Sequence, residues 1–110
     1  MRIYRNLVFK GGGVKGSAYT GALMALERRD ILRTIRRVAG TSSGAVSSAF
    51  LALGASPIQM KRIARQTPYD TFMDGSRWII GDMRRLFKDY GWFRGDILYR
   101  WVRTNVAALT

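Results

Sequence analysis

Residues 35–45 read IRRVAGTSSGA and place a Gly-x-Ser-x-Gly turn directly after a short basic and apolar run. The turn spans residues 40–44, and a segment of small, apolar residues follows it. This order is typical of a serine on a tight strand-to-helix bend, where the hydroxyl can act as a nucleophile. A serine nucleophile usually relies on a histidine, yet the chain contains none. The sequence therefore raises the question of what would activate Ser42.

The composition is that of one small globular domain. The 110 residues are 47% hydrophobic and 24% charged, which suits a folded chain with a modest core. The chain has neither cysteine nor histidine, so the two commonest zinc ligands are missing and a disulfide scaffold is excluded. We therefore expect no metal site and no cofactor.

The formal net charge of +12 favours either plain solubility or an anionic partner. The basic residues are spread along the chain in pairs such as Arg28-Arg29, Arg36-Arg37 and Arg84-Arg85, as on solvated helix faces and strand ends. No nucleic-acid-binding motif accompanies them. We therefore expect no nucleic-acid partner. The positive charge either serves solubility alone or attracts the chain to an anionic membrane surface.

No segment has the pattern of a signal peptide or a membrane-spanning helix. Leu7-Val8-Phe9 is too short for the apolar region of a signal peptide. Residues 38–60 carry no charge, but their glycines, proline and hydroxyl residues make them too polar to span a bilayer. A cytoplasmic or peripheral membrane location is expected, and secretion as an effector is the alternative.

Strand and helix patterns alternate along the chain. β-Branched and aromatic residues predict strands over residues 4–10 and 34–39. Apolar spacing and a capping sequence at Ser56-Pro57-Ile58-Gln59 predict helices. These helices cover residues 17–29, 45–53, 56–66 and 96–109. The alternation favours a parallel sheet with helices packed on it, and the small-residue helix 45–53 is expected to be buried.

A second glycine motif, Gly11-Gly12-Gly13-Val14-Lys15-Gly16, lies between the first predicted strand and the first predicted helix. It matches the Gly-x-Gly-x-x-Gly fingerprint of dinucleotide-binding proteins. The acidic residue that would bind the ribose is missing, and Arg36 and Arg37 stand in its neighbourhood. NADP binding is therefore one alternative. A P-loop is excluded, because Ser17-Ala18 replace its Lys-Ser/Thr pair.

The same glycines can instead form an oxyanion hole. Backbone amides at the start of a helix stabilise negative charge, and glycines let a substrate carbonyl approach them. The amide of Ser43, which follows the serine of the turn, would supply a further donor. Parallel strands end at the same edge of a sheet. We therefore expect Gly11, Gly12 and Gly13 to face Ser42 across one crevice.

Together the two motifs resemble those of the patatin-like phospholipases, which join a Gly-Gly-Gly-x-Lys/Arg-Gly loop to a Gly-Thr-Ser-x-Gly-Ala elbow. The resemblance implies a three-layer α/β/α fold with a mainly parallel sheet. It also implies hydrolysis of phospholipids or other acyl-ester lipids, of the phospholipase A or lysophospholipase type, by a Ser-Asp dyad. By position Ser42 is the nucleophile, and the aspartate of the family would assist it in place of a histidine. The glycines of the elbow are then Gly40 and Gly44, and the oxyanion loop is formed by Gly11, Gly12 and Gly13.

The aspartate is the point at which the resemblance is incomplete. In the family it stands in an Asp-Gly-Gly or Asp-Gly-Ala motif far downstream of the elbow. Here Asp74-Gly75 is followed by Ser76 and is close to Ser42 in the sequence. We interpret Asp74-Gly75 as a turn. Residues 1–110 are expected to be the N-terminal part of a single patatin-like catalytic domain, with the aspartate beyond Thr110.

The remaining features have ordinary structural interpretations beside functional ones. Residues 69–101 are rich in aromatic side chains, interleaved with arginines and lysines. We expect these aromatic side chains to form part of the core. The alternatives are a lid, a wall of the acyl pocket or a surface that meets lipid head groups. Lys15 either contacts an anionic head group or is solvated. The serines at 43, 47 and 48 are expected to pack or to cap a helix.

The main alternative function belongs to another class of protein, a non-catalytic binder of an anionic ligand. The ligand would be an NADP-like nucleotide on the glycine loop or an acidic surface on the basic faces. A fluorophosphonate separates the two functions, because it labels only an activated serine.

Overall fold

A pair of parallel strands forms the centre of the fold in the computed structural model, which describes residues 2–67 and 96–110. Strand β1 covers Asn6–Phe9 and β2 covers Arg37–Gly40. The two strands pair in parallel, with Asn6 opposite Arg37 and Phe9 opposite Gly40. The glycine loop follows β1 and the Gly-x-Ser-x-Gly turn follows β2, so both motifs lie at the carboxyl ends of the strands.

Helices make up most of the rest of the described chain. Two 3₁₀ helices cover Gly13–Ala18 and Leu32–Thr34. The α-helices are α1 (Tyr19–Arg28), α2 (Ser43–Ala52), α3 (Pro57–Gln66) and α4 (Asp96–Leu109). All four helices predicted from the sequence are present. The ends of α1, α2 and α3 differ from the predicted ones by at most two residues, and α4 has the predicted bounds.

Two boundaries differ from the prediction for identifiable reasons. The first helix was predicted from Ser17, but a 3₁₀ segment precedes α1, beginning at Gly13 with a left-handed φ of 57°, which glycine adopts without strain. The second strand was predicted from Thr34. The Thr34 amide instead donates to the Ile31 carbonyl at 2.9 Å and closes the second 3₁₀ turn, and the Thr34 hydroxyl lies 2.7 Å from the same oxygen, so β2 begins later.

The core lies where helices meet the strands and one another. Helix α2 packs against both strands, and α1 packs against α3. The buried apolar side chains include those of Phe9, Leu23, Phe50, Ala55 and Met60. The sequence predicted that α2 would be buried all round, but the structure buries Gly44, Ser48 and Phe50 and leaves Ala45, Ala49 and Ala52 exposed. In the described part of the chain only one face of α2 meets the two strands.

The contacts divide the chain into two compact units, one of Met1–Thr67 with Asn105–Thr110 and one of Pro68–Thr104. The first unit contains both strands and both glycine motifs. The turn predicted at Asp74-Gly75 and most of the aromatic segment 69–101 lie outside the described residues.

No helix in the described ranges is both long and apolar enough to cross a membrane.

Helix α3 begins with the capping arrangement that its sequence predicts. The backbone amide of Gln59 donates to the Ser56 hydroxyl at 3.3 Å, and the Ser56 amide donates to the Gln59 side-chain oxygen at 2.8 Å. Pro57 occupies the first helical position, where no amide is needed. The capping box thus satisfies two backbone donors that the helix itself leaves without partners.

We expect Ser56→Ala to lower the free energy of unfolding by about 0.5–2 kcal/mol, because it leaves the Gln59 amide without its acceptor. Chemical denaturation of the two proteins measures the difference. Ser56→Asp, which keeps an acceptor at the cap, serves as the control and should stay near the parent. An alanine variant as stable as the parent would contradict the assigned cap.

Candidate active site

Ser42 lies at the bend between β2 and α2 and has an unusual backbone conformation. Its φ of 53° and ψ of −127° fall outside the regions that side-chain-bearing residues normally occupy. Such a conformation costs on the order of 1–3 kcal/mol and persists only where the surroundings enforce it. Among the described residues that are not glycine, only Asp30 shares a positive φ. A strained, exposed serine between a strand and a helix is the geometry of a nucleophile elbow.

Two glycines make this bend sterically possible. A Cβ at Gly40 would lie 2.2 Å from the carbonyl oxygen of Gly44, and a Cβ at Gly44 would lie 2.5 Å from the carbonyl oxygen of Phe9. Both neighbours are backbone atoms, so no side-chain rotation relieves the overlap. The start of α2 is therefore pressed against the end of β1, and only glycine fits at either position.

The glycine loop, residues 11–16, lies beside Ser42. A Cβ at Gly11 would come within 3.0 Å of the Ser42 Cβ. The backbone amide of Gly11 donates to Thr41 Oγ1 at 3.2 Å, and the amide of Gly12 donates to Ser43 Oγ at 3.2 Å. The structure thus brings the two motifs together at one edge of the strands, as their order in the sequence predicts.

The amides around Ser42 fall into two groups. Those of Gly11 and Gly12 already have hydroxyl acceptors. Within residues 2–67 and 96–110, the amides of Gly13 and Ser43 donate no hydrogen bond. Ser43 opens α2, whose first amides have no acceptor within the helix. The Ser43 amide immediately follows the exposed Ser42, and a backbone donor without an acceptor at such a position can stabilise negative charge.

Sequence reasoning missed the partners of the loop. Ser43 was expected to pack or cap, but its hydroxyl accepts the Gly12 amide. The Tyr19 hydroxyl donates to the Lys10 carbonyl, and its ring packs edge-on against Phe9 with centroids 5.1 Å apart. The sequence did contain one signal for these contacts. Two hydroxyl residues, Thr41 and Ser43, flank Ser42, and the glycine loop offers backbone amides that their hydroxyls can accept.

The described residues do not supply a base to Ser42. The Ser42 hydroxyl makes no hydrogen bond within the ranges 2–67 and 96–110. The Asp30 carboxylate lies 3.5 Å from Nε of Arg33. Four acidic residues lie outside the described ranges, namely Asp70, Asp74, Asp82 and Asp89. The searched part of the chain also holds no cluster of three or more acidic, histidine or cysteine side chains.

Comparison with known proteins gives matches over most of the chain. The family model described as patatin-like phospholipase matches residues 7–110. The protein YqhO of Bacillus subtilis (strain 168) is 31% identical over 105 residues, which are 91% of this chain and 35% of YqhO. The chain therefore spans about a third of the length of that relative.

Solved structures share the fold. Full-length ExoU from the type III secretion system of Pseudomonas aeruginosa, in complex with SpcU, is 34% identical with a TM-score of 0.59. The match covers 78% of this chain and 16% of ExoU. VipD from Legionella pneumophila is 31% identical with a TM-score of 0.60, over 64% of this chain and 13% of VipD. These similarities confirm the α/β fold predicted from the sequence.

We expect Gly44→Ala to lower the free energy of unfolding by about 1–3 kcal/mol, because the added Cβ overlaps backbone atoms at the end of β1. Gly21→Ala is the matched control, since a Cβ there meets nothing within 4 Å. In the interior of α1 it should stabilise by roughly 0.5–1 kcal/mol. Denaturant midpoints that shift in the same direction in both variants would contradict the packing described for the elbow.

Proposed function

Because the chain belongs to the patatin-like phospholipase family, we propose that it carries the nucleophile of an acyl-ester lipid hydrolase acting on phospholipids or lysophospholipids. The observation that carries this proposal is the strained backbone of Ser42 next to the glycine loop. Residues 1–110 then form the N-terminal part of one catalytic domain.

The proposed chemistry proceeds through an acyl-enzyme. Ser42 Oγ attacks the ester carbonyl carbon, and its proton passes to a carboxylate. The carbonyl oxygen becomes negatively charged, and the free amides of Gly13 and Ser43 stabilise it. The alcohol then leaves with a proton, and water releases the fatty acid from the serine. The resemblance to the family assigns the carboxylate to an aspartate, and no described residue contacts Ser42 in that role.

The alternative of a non-catalytic nucleotide binder has weaker support. A dinucleotide fingerprint uses the loop amides and the helix start to bind a pyrophosphate. Here the Gly11 and Gly12 amides donate to hydroxyls of Thr41 and Ser43. A binder would also have no use for the backbone strain at Ser42, whereas a nucleophile elbow requires it.

We expect Ser42→Ala in the intact protein to abolish hydrolysis of a short-chain ester and labelling by a fluorophosphonate, while the unfolding midpoint stays near that of the parent. The reason is that the hydroxyl is the proposed nucleophile and makes no described hydrogen bond. Ser47→Ala is the control. Its hydroxyl, also in α2, bonds the Ser43 carbonyl at 3.3 Å, and its loss should leave turnover and labelling in place.

Undiminished turnover in Ser42→Ala would sink the proposed mechanism. Asp74→Asn belongs in the same series because it tests the interpretation of Asp74-Gly75 as a turn. It should retain Ser42-dependent turnover if the base is another aspartate. A folded Asp74→Asn protein without turnover would instead make Asp74 the base.

The proposal includes contact with an anionic membrane surface. The basic residues that could bind such a surface lie at opposite ends of the two strands. Lys10 and Lys15 are exposed at the carboxyl ends of the strands, in and beside the glycine loop. Three arginines are exposed at the amino ends of the strands, namely Arg5, Arg36 and Arg37. The backbone amides of Arg36 and Arg37 both donate to the Arg5 carbonyl there. A lipid that reaches Ser42 would approach the lysine end.

We expect Lys10→Gln/Lys15→Gln to weaken binding to vesicles rich in phosphatidylserine by roughly tenfold or more, since each lysine near such a surface contributes about 1 kcal/mol. Arg36→Gln/Arg37→Gln removes the same charge from the opposite end and serves as the control. Vesicle co-sedimentation at low and physiological salt measures both. Equal weakening by the two double variants would show that only net charge matters.

A further inference from the structure

We propose that the hydroxyls of Thr41 and Ser43 are positioning groups that hold the glycine loop against Ser42. Each hydroxyl accepts a backbone amide of the loop at 3.2 Å, Thr41 from Gly11 and Ser43 from Gly12. The two acceptors flank the serine, and the two donors are consecutive. The effect on turnover rests on the proposed function, whereas the hydrogen bonds themselves do not.

Gly16 provides the space for this arrangement. A Cβ at Gly16 would lie 2.8 Å from Ser43 Oγ and 3.0 Å from Ser43 Cβ. Any larger residue there would displace the hydroxyl that accepts the Gly12 amide. The last glycine of the fingerprint therefore serves the contact between the loop and Ser43, although it lies outside the three consecutive glycines.

The chain on either side of these bonds is also fixed. The Thr41 amide donates to the Phe9 carbonyl at 3.2 Å, which continues the contact between the strands past the end of β2. The Tyr19 hydroxyl binds the Lys10 carbonyl at the entrance to the loop. Between these anchors, in the described structure, the hydrogen bonds that join the first glycines of the loop to the residues flanking Ser42 are the two made by the hydroxyls.

The loop needs such restraint because consecutive glycines are conformationally free. With Gly11 and Gly12 held, the next amide, that of Gly13, has a defined position relative to Ser42. Oxyanion donors must lie about 2.7–3.1 Å from the developing charge, and a misplacement of about 1 Å can reduce the rate about a hundredfold. The hydroxyls thus act on catalysis through the loop, without contacting the substrate.

The first measurement is amide hydrogen exchange in the intact protein. Thr41→Val should accelerate exchange of the Gly11 amide, and Ser43→Ala that of the Gly12 amide, each by roughly two- to tenfold, because one hydrogen bond is lost. Thr41→Ser keeps the acceptor and should restore slow exchange. Gly16→Ala removes no hydroxyl group but should resemble Ser43→Ala, since its Cβ displaces Ser43 Oγ.

The second measurement is the separation of kcat from KM on a short-chain ester. Thr41→Val and Ser43→Ala should lower kcat by about ten- to a hundredfold and leave KM within about twofold, because the donors act in the transition state. The Ser43 amide itself survives both changes. Ser47→Ala removes a neighbouring hydroxyl of α2 as the control, and Thr41→Ser should recover the parental kcat.

Unchanged exchange at Gly11 and Gly12 in the two variants would overturn the proposal. If the parent enzyme is active, a parental kcat in both variants would also overturn it. So would a fall in kcat that is fully explained by a lowered unfolding midpoint. If the parent shows no Ser42-dependent turnover, the proposed function fails. The exchange measurement then still decides whether the hydroxyls hold the loop.

Discussion

The close approach of Gly44 to the end of β1 is the constraint on which the candidate site depends. With the carbonyl oxygen of Phe9 at 2.5 Å from any Cβ placed on Gly44, the first turn of α2 sits directly on the strand. The chain must then reverse from β2 into α2 within two residues. This reversal imposes the positive φ on Ser42 and brings its flanking hydroxyls within reach of the glycine loop.

The strain at Ser42 is sustained by contacts that lie on both sides of it. Parallel pairing fixes β2 relative to β1 as far as Gly40, and α2 packs against both strands. A cost on the order of 1–3 kcal/mol is large beside the marginal stability of a small domain. The surrounding backbone contacts must offset it, so Gly40 and Gly44 are a requirement of stability, whatever the chemistry at Ser42.

The parts of this structure that depend on local patterns could be predicted from the sequence. Strand β1, the capping box at Ser56 and the Gly-x-Ser-x-Gly elbow each follow from neighbouring residues. The bonds from Gly11 to Thr41 and from Gly12 to Ser43 could not, because they join residues about thirty positions apart and depend on the register of the strands.

The 3₁₀ segments escaped prediction for a related reason. They rest on short runs of backbone hydrogen bonds, such as those from the Thr34 and Ile35 amides to the Ile31 and Leu32 carbonyls, and no repeating side-chain pattern marks them in the sequence. The dyad aspartate was inferred from motif spacing in a family, and no described acidic residue bonds the Ser42 hydroxyl, so it remains a prediction.

The glycine fingerprint itself does not determine what the loop binds. In a dinucleotide site the loop amides and the helix dipole are left for a phosphate. In this chain two of those amides are satisfied by hydroxyls of Thr41 and Ser43, which leaves fewer loop donors for a diphosphate. The hydroxyls that flank the serine therefore favour the proposed hydrolase over a dinucleotide binder, although they lie about thirty positions away from the glycines whose amides they accept.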